Sequence, residues 1–249
     1  MLTPSRNMDV VVADSNLSLL QDLGRFEFSP GDYFGTKPVW RAMSGSVNEQ
    51  DRKVFDLVMS RRYTSISDLR VLHRFSMISG ASTRRMDVYF ARDCSPEGLK
   101  LSNIVFVGSR RSNPWVALFD QQLGFSFEWG QELNSSAIVD RRAADGERKR
   151  YSTEKRGEVI DAYGTITFLP NLAGTGQVLI LSGSGPHATE SAGEVVTDPQ
   201  LFSQLLRRLK WDGQSALPYF EAMIQTSVIG ATMRRPEILF ARKLQIPGH

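Results

Sequence analysis

Three times in this chain an apolar β-branched run gives way to a small polar loop and then to a helical pattern, and that recurrence constrains the fold more than anything else in the sequence. The three stretches are DVVVADSNLSLLQDL (Asp9 to Leu23), NIVFVGSRRSNPWVALFD (Asn103 to Asp120) and QVLILSGSGPHATESAGEVV (Gln177 to Val196). Further runs of the same kind are DVYF (Asp87 to Phe90), TITFL (Thr165 to Leu169) and EILFA (Glu237 to Ala241). Apolar runs without alternation suit strands covered on both faces. Amphipathic segments lie between them: Glu49 to Arg61, Ser67 to Ile78 and Pro199 to Leu209. Strand alternating with helix predicts an α/β fold, specifically a three-layer Rossmann-like, mostly parallel sheet with helices on both faces. Ser65 or Ser67 is suited to cap the helix that carries Asp68 in its first turn, and Asp198-Pro199 supplies a cap followed by proline at the first helical position.

A chain of 249 residues, 41% hydrophobic, is expected to form one α/β domain over residues 1 to 249, with no repeat, low-complexity tract or linker dividing it. Residues 24 to 48 read as an irregular excursion, and residues 140 to 158 as a charged surface segment whose acids interrupt its bases. Thirty basic against 27 acidic residues leave a net charge of only +3, too little for a protein built to coat nucleic acid. Direct binding of nucleic acid is therefore not expected. One cysteine, Cys94, excludes an internal disulfide framework, and His73, His187 and His249 do not form a zinc-like cluster. No apolar run approaches a membrane span or a signal peptide, so a cytoplasmic protein without membrane contact is expected.

In an open α/β sheet, ligands collect beyond the carboxyl ends of parallel strands, where loops converge and helix N-termini point into a crevice. The three loops offer Asp14, Ser15 and Asn16; then Gly108, Ser109, Ser112, Asn113 and Trp115; then Ser182, Gly183, His187, Thr189 and Glu190. Glycines allow close approach of backbone, free amides attract anions, hydroxyls supplement them, and Trp115 offers a stacking face. An ordinary βα turn also needs small polar residues, so each loop alone says little. Neither glycine-rich loop matches the dinucleotide fingerprint, neither ends in the GK[ST] of a phosphate-binding loop, and no cofactor can be named. Ser109, Ser112 and Asn113 are expected to face the crevice. Asp14 and Glu190 are candidates for an acid/base pair across it.

The loops taken in order, ADSN, RYTSISDLRVL, GSRRSNPWVALF, IVDRRAADGERKRY, YGTITFLPN, VLILSGSGPHATESAGEVVTDP and finally EAMIQTSVIG with PEILFAR, resemble an uncharacterised α/β domain of bacterial proteins. That domain often follows a winged-helix or other helix-turn-helix DNA-binding domain. The resemblance implies a sensor-like domain that binds a small molecule, anionic or sugar-like, and biases a partner. A first strand near residue 9 leaves no room upstream for such a DNA-binding module, so the partner is expected to be a separate domain or protein. The segment RRYTSISDLRVLHRF is expected to be a crossover helix rather than a DNA reader. The alternative is an enzyme acting on a nucleotide or phosphorylated metabolite in the same crevice.

Overall fold

The computed structural model describes residues 7 to 24, 27 to 34, 48 to 80, 85 to 95, 97 to 130, 136 to 230 and 232 to 246. Most of the excursion expected over residues 24 to 48 lies outside them. In chain order the elements are β1 (Met8–Val12), α1 (Ser15–Gly24), α2 (Pro30–Phe34), α3 (Glu49–Ser60), α4 (Ile66–Gly80), β2 (Met86–Phe90), α5 (Gly98–Leu101) and β3 (Asn103–Val107). A 3-10 helix over Pro114–Phe119 leads to β4 (Phe125–Trp129), β5 (Ser136–Asp140), β6 (Arg150–Ser152), β7 (Glu154–Arg156), β8 (Val159–Pro170) and β9 (Gln177–Gly183). The chain closes with α6 (Pro186–Thr197), α7 (Pro199–Arg208), β10 (Phe220–Ile229), β11 (Thr232–Met233) and β12 (Glu237–Lys243).

The expected mostly parallel, three-layer Rossmann-like sheet is not what forms. Among the described residues, nine strands make one mixed sheet in the order β11-β10-β8-β9-β3-β1-β2, with β12 on β10 and β7 on β8. Its pairings β1–β2, β1–β3 and β3–β9 are parallel. The other five are antiparallel. A second, antiparallel sheet runs β4-β5-β6. The physical reason lies in the connections. An apolar run reports burial on both faces, not direction, and the direction is set by what joins the strands. β8 and β9 are joined by the turn of residues 171 to 176, too short for a crossover, with Gly174 at φ +65°. β7 and β8 are joined by Gly157-Glu158, with Gly157 at φ +63°. The charged segment accordingly holds β6 and β7 beyond an exposed loop over residues 141 to 149. β2 is a half-exposed edge strand, and β12 is only partly covered, so neither is the central strand that its composition suggests.

The two faces of the large sheet are covered differently. On one, Val10, Val105, Leu179, Leu181, Ile166 and Phe168 pack against Val71 and Phe75 of α4, Ala192 and Val195 of α6, and Leu201 and Leu205 of α7. On the other, Ile104, Phe106, Val178 and Ile180 meet Trp115, Val116 and Phe119 of the 3-10 helix, while Tyr163 and Met223 meet Phe125, Ile138 and Tyr151 of the small sheet. A short 3-10 helix and a sheet therefore stand on the face where full helices were expected. The crossover expectation for residues 61 to 75 agrees with the chain's course: α4 lies between β1 and the parallel β2. Ser65 caps its start: Ser65 Oγ accepts from the Asp68 amide (3.0 Å) and donates to the Asp68 carboxylate (2.8 Å). Asp198 caps α7, accepting from the amides of Gln200 and Leu201.

Candidate functional site

The parallel strands β1, β3 and β9 end side by side, and their three loops meet there. They are stitched together by hydrogen bonds. The Asp14 amide donates to the Ser112 carbonyl (2.7 Å), the Gly108 amide to that of Leu181 (2.9 Å), and Ser182 Oγ to that of Gly108 (3.0 Å). Ser136 of β5 donates to the Ser184 carbonyl (2.6 Å), which brings the small sheet to the rim. Between the loops lies a crevice of about 240 Å³.

Of the residues expected at such a site, Ser15, Gly108, Ser109, Ser112, Gly183 and Thr189 line this crevice. Ser182 lines a second, adjoining cleft. The remainder, His187 excepted, are turned to structural work. Asn113 is 0% exposed, and its Nδ2 donates to the carbonyls of Val11 and Val107 (both 3.1 Å), so it clips the ends of β1 and β3 together instead of facing the crevice. Trp115 is buried in the core, where its indole N–H donates to the Ala91 carbonyl (2.7 Å), and presents no stacking face. Asn16 donates to the carbonyls of Val58 and Arg61, closing the C-terminal end of α3. Asp14 is fully buried and gripped by both arms of the Arg92 guanidinium (2.7 and 2.9 Å). Tyr33 adds its hydroxyl at 3.3 Å, and burial first, then the Asp14 charge, pushes that phenol above its usual range. Glu190 pairs with Arg70 (3.2 Å) between α6 and α4. Asp14 and Glu190 are thus held by separate arginines and do not form an acid/base pair. His187 stands half-exposed in the first turn of α6, outside the crevice lining.

The glycines divide in the same way. A Cβ on Gly108, which has φ +101°, would lie 2.7 Å from Ser112 Oγ and 2.9 Å from Ala13 Cβ, and one on Gly183 would strike the Thr189 amide. Both are glycine because the loops pack tightly. A Cβ on Gly185 would meet nothing within 4 Å. Its neighbourhood is open space at the start of α6, whose N-cap has no side-chain partner and whose first turn carries no acid.

The crevice offers a ligand hydroxyls, one guanidinium from Arg111 and two carboxylates from Asp22 and Asp68. Ser109 is 5% exposed, lines the crevice, and its hydroxyl has no partner among the described residues. Arg111 supplies a guanidinium, paired with Asp22 and stacked over the Trp129 ring (5.0 Å to its centre). Sequence reading passed over Trp129 and Ser136, because they belong to the small sheet that it did not anticipate. Ser65 and Asp68 were legible only as helix caps. Asp68 is buried at the crevice wall and accepts hydrogen bonds from Thr64 Oγ1 (2.6 Å), Ser65 Oγ (2.8 Å) and the Ala13 amide (3.3 Å). Burial raises its carboxyl above the ordinary 3.8, against the pull of those hydrogen bonds. Cys94 is pushed up to about 12, chiefly by burial, which leaves an unreactive thiol. Among the described residues no group of His, Cys, Asp and Glu is placed to hold a metal ion, and no helix is long and apolar enough to cross a membrane. No protein-family model and no curated protein sequence matches the chain.

Proposed function

We propose that this chain is a small-molecule-binding domain of regulatory type, taking an anionic or sugar-like metabolite at the ends of β1, β3 and β9. The observation that carries the reading is the convergence of three features on one crevice: the Ser109 hydroxyl without a partner among the described residues, the open start of α6 at Gly185, and the Arg111 guanidinium, which Asp22 and the Trp129 ring hold in place. Amides and hydroxyls at a strand-end crevice hold phosphate, carboxylate and sugar oxygens well. The two carboxylates that the sequence suggested as an acid/base pair are engaged otherwise, Asp14 by Arg92 and Glu190 by Arg70, and Asp68 at the crevice wall is held by Thr64, Ser65 and the Ala13 amide. Occupancy is read by a partner domain or protein, a DNA-binding module in the arrangement that the sequence resembles, and the setting is the cytoplasm.

A thermal-shift screen of sugar phosphates, nucleotides and carboxylate metabolites tests this. A ligand at a hundredfold excess over its dissociation constant stabilises the native state by about 2.7 kcal/mol. The ligand is recovered chemically unchanged, and Ser109→Ala weakens it without lowering the melting temperature of the free protein. A screen without a hit overturns the reading, and so does turnover of the hit.

A further inference from the structure

The adjoining cleft carries the argument further. It runs between the small sheet and the floor of the large one, has a volume of about 110 Å³, and shares Arg111 and Trp129 with the strand-end crevice. One water needs only ~10–15 Å³ by this measure, so the cleft has room for a group the size of a ring. Its floor is the ladder of β8 and β9, on which Thr165 faces Ser182 and Thr167 faces Ile180. Alternation puts Ile166 and Phe168 into the core beneath the helices and turns the two threonines to the cleft. Thr165 is 3% and Thr167 2% exposed, and neither hydroxyl has a partner among the described residues. Two such hydroxyls on one apolar floor are left open to whatever fills the cleft.

The walls say what kind of group that is. Phe127 stands above the floor, stacked with Trp129 (ring centres 5.8 Å apart, planes 14° apart), and Val116 and Ile180 complete an apolar slot. The two other arginines at the cleft are already committed. Arg110 pairs with Asp120 (2.8 Å), and Arg141 donates to the carbonyls of Asp120 and Leu123 (3.1 and 3.0 Å). The cleft therefore suits a neutral flat ring with polar atoms at its edge, while the crevice suits the anion. Threonines two apart on a strand are spaced by about 7 Å, which matches two edges of one heterocycle. Ser182 joins the compartments, since it faces Thr165 and donates to the Gly108 carbonyl of the crevice loop.

We propose that the ligand is a mononucleotide-class compound, with its phosphate and sugar in the strand-end crevice and its base in the cleft against Thr165, Thr167 and Phe127. This rests on the function proposed above and specifies its ligand. Titration calorimetry of the full chain compares the four common ribonucleoside monophosphates with ribose 5-phosphate, inorganic phosphate and the free nucleosides. At least one monophosphate binds about tenfold more tightly than ribose 5-phosphate, the worth of one or two buried hydrogen bonds. The double variant Thr165→Val, Thr167→Val removes that advantage and leaves ribose 5-phosphate unchanged. Phe127→Ala, in the other sheet, does the same and serves if the double variant does not fold. Ribose 5-phosphate binding as tightly as every monophosphate overturns this inference while the proposed function stands, as does a monophosphate advantage that survives both variants. No binding by any phosphate compound, with a carboxylate metabolite bound instead, overturns the nucleotide assignment alone. No binding by any compound of either panel overturns both.

Discussion

The large sheet has two halves that use the same apolar strands to opposite ends. In the parallel half, β9-β3-β1-β2, successive strands are separated by long connections, and the strand ends open into loops. In the antiparallel half, β8 and β10 with β7, β11 and β12, β7 leads into β8 and β10 into β11 and β12 by short connections, Gly157 and Gly230 take left-handed turns, and backbone groups are paired along the ladders, although β10 reaches β8 only after β9, α6 and α7. Polar atoms are handled accordingly. The antiparallel half buries its charges in a closed cluster: the Glu221 carboxylate accepts from Arg142 (2.9 Å), Arg242 (3.1 Å) and the Gly124 amide, and Arg242 also grips Asp140 with both arms. The parallel half leaves donors without partners at its loops. Strand composition is nearly the same in both, so the binding surface follows from the connections and not from the strands.

Removing the cluster tests the closed half. Glu221, at 0% exposure, faces two guanidiniums, and Glu221→Ala leaves both without that partner. The expected loss is about 3 kcal/mol in urea unfolding, at the low end for a buried pair because both arginines keep access to water. A loss below ~1 kcal/mol would show that the small sheet is held by apolar packing alone. Asn113→Ala tests the seam of the open half. It strips donors from the carbonyls of Val11 and Val107 and is expected to cost about 2 kcal/mol. An unchanged midpoint would put Asn113 back among the candidate ligand contacts.

Smaller effects sharpen the contrast. The raised Asp68 carboxyl means that, between the unfolded value and the higher folded one, the native state holds more of this proton than the unfolded chain does. Stability from this group is therefore fully present below the unfolded value near 3.8 and declines as pH rises through the folded value. The stability of wild type minus that of Asp68→Asn should fall with rising pH above that point. A flat difference would mean that hydrogen bonds to Asp68 offset its burial. Last, Ser109→Ala should change unfolding by less than ~0.5 kcal/mol. A larger loss would make the loop a structural turn after all.

Much of this contrast was legible in residues, and its limits are physical. The three strand-loop-helix stretches did mark strands that end together, since β-branched runs followed by Ser, Gly and Asn have few other uses. Caps at Ser65 and Asp198 were legible because capping is local. Strand direction in the second half was not, for TITFL and VLILS look alike in a parallel or an antiparallel ladder and only the intervening NLAGTG tells them apart. Nor could sequence say which polar loop residues turn inward. Asn113 and Ser109 are equally good ligands by chemistry, and only the distance between the ends of β1 and β3 assigns one to the seam and the other to the crevice. The small sheet was missed although β4 and β5 are as long as β1 and β3, because FSFEW and SAIVD mix polar with apolar residues and β6 is three residues among charges.

The seam between β3 and β9 joins Ile104 to Val178, and that between β1 and β2 joins Met8 to Met86. Each closes a loop of more than 70 residues, and β1 reaches β3 only after a comparable excursion. Loop closure must precede any reward from such pairings, which makes them slow steps of folding. The antiparallel hairpin of β8 and β9 closes within a few residues and is free to form early. The crevice is therefore among the last features that the chain acquires during folding, and no fragment lacking β1 or α6 contains it.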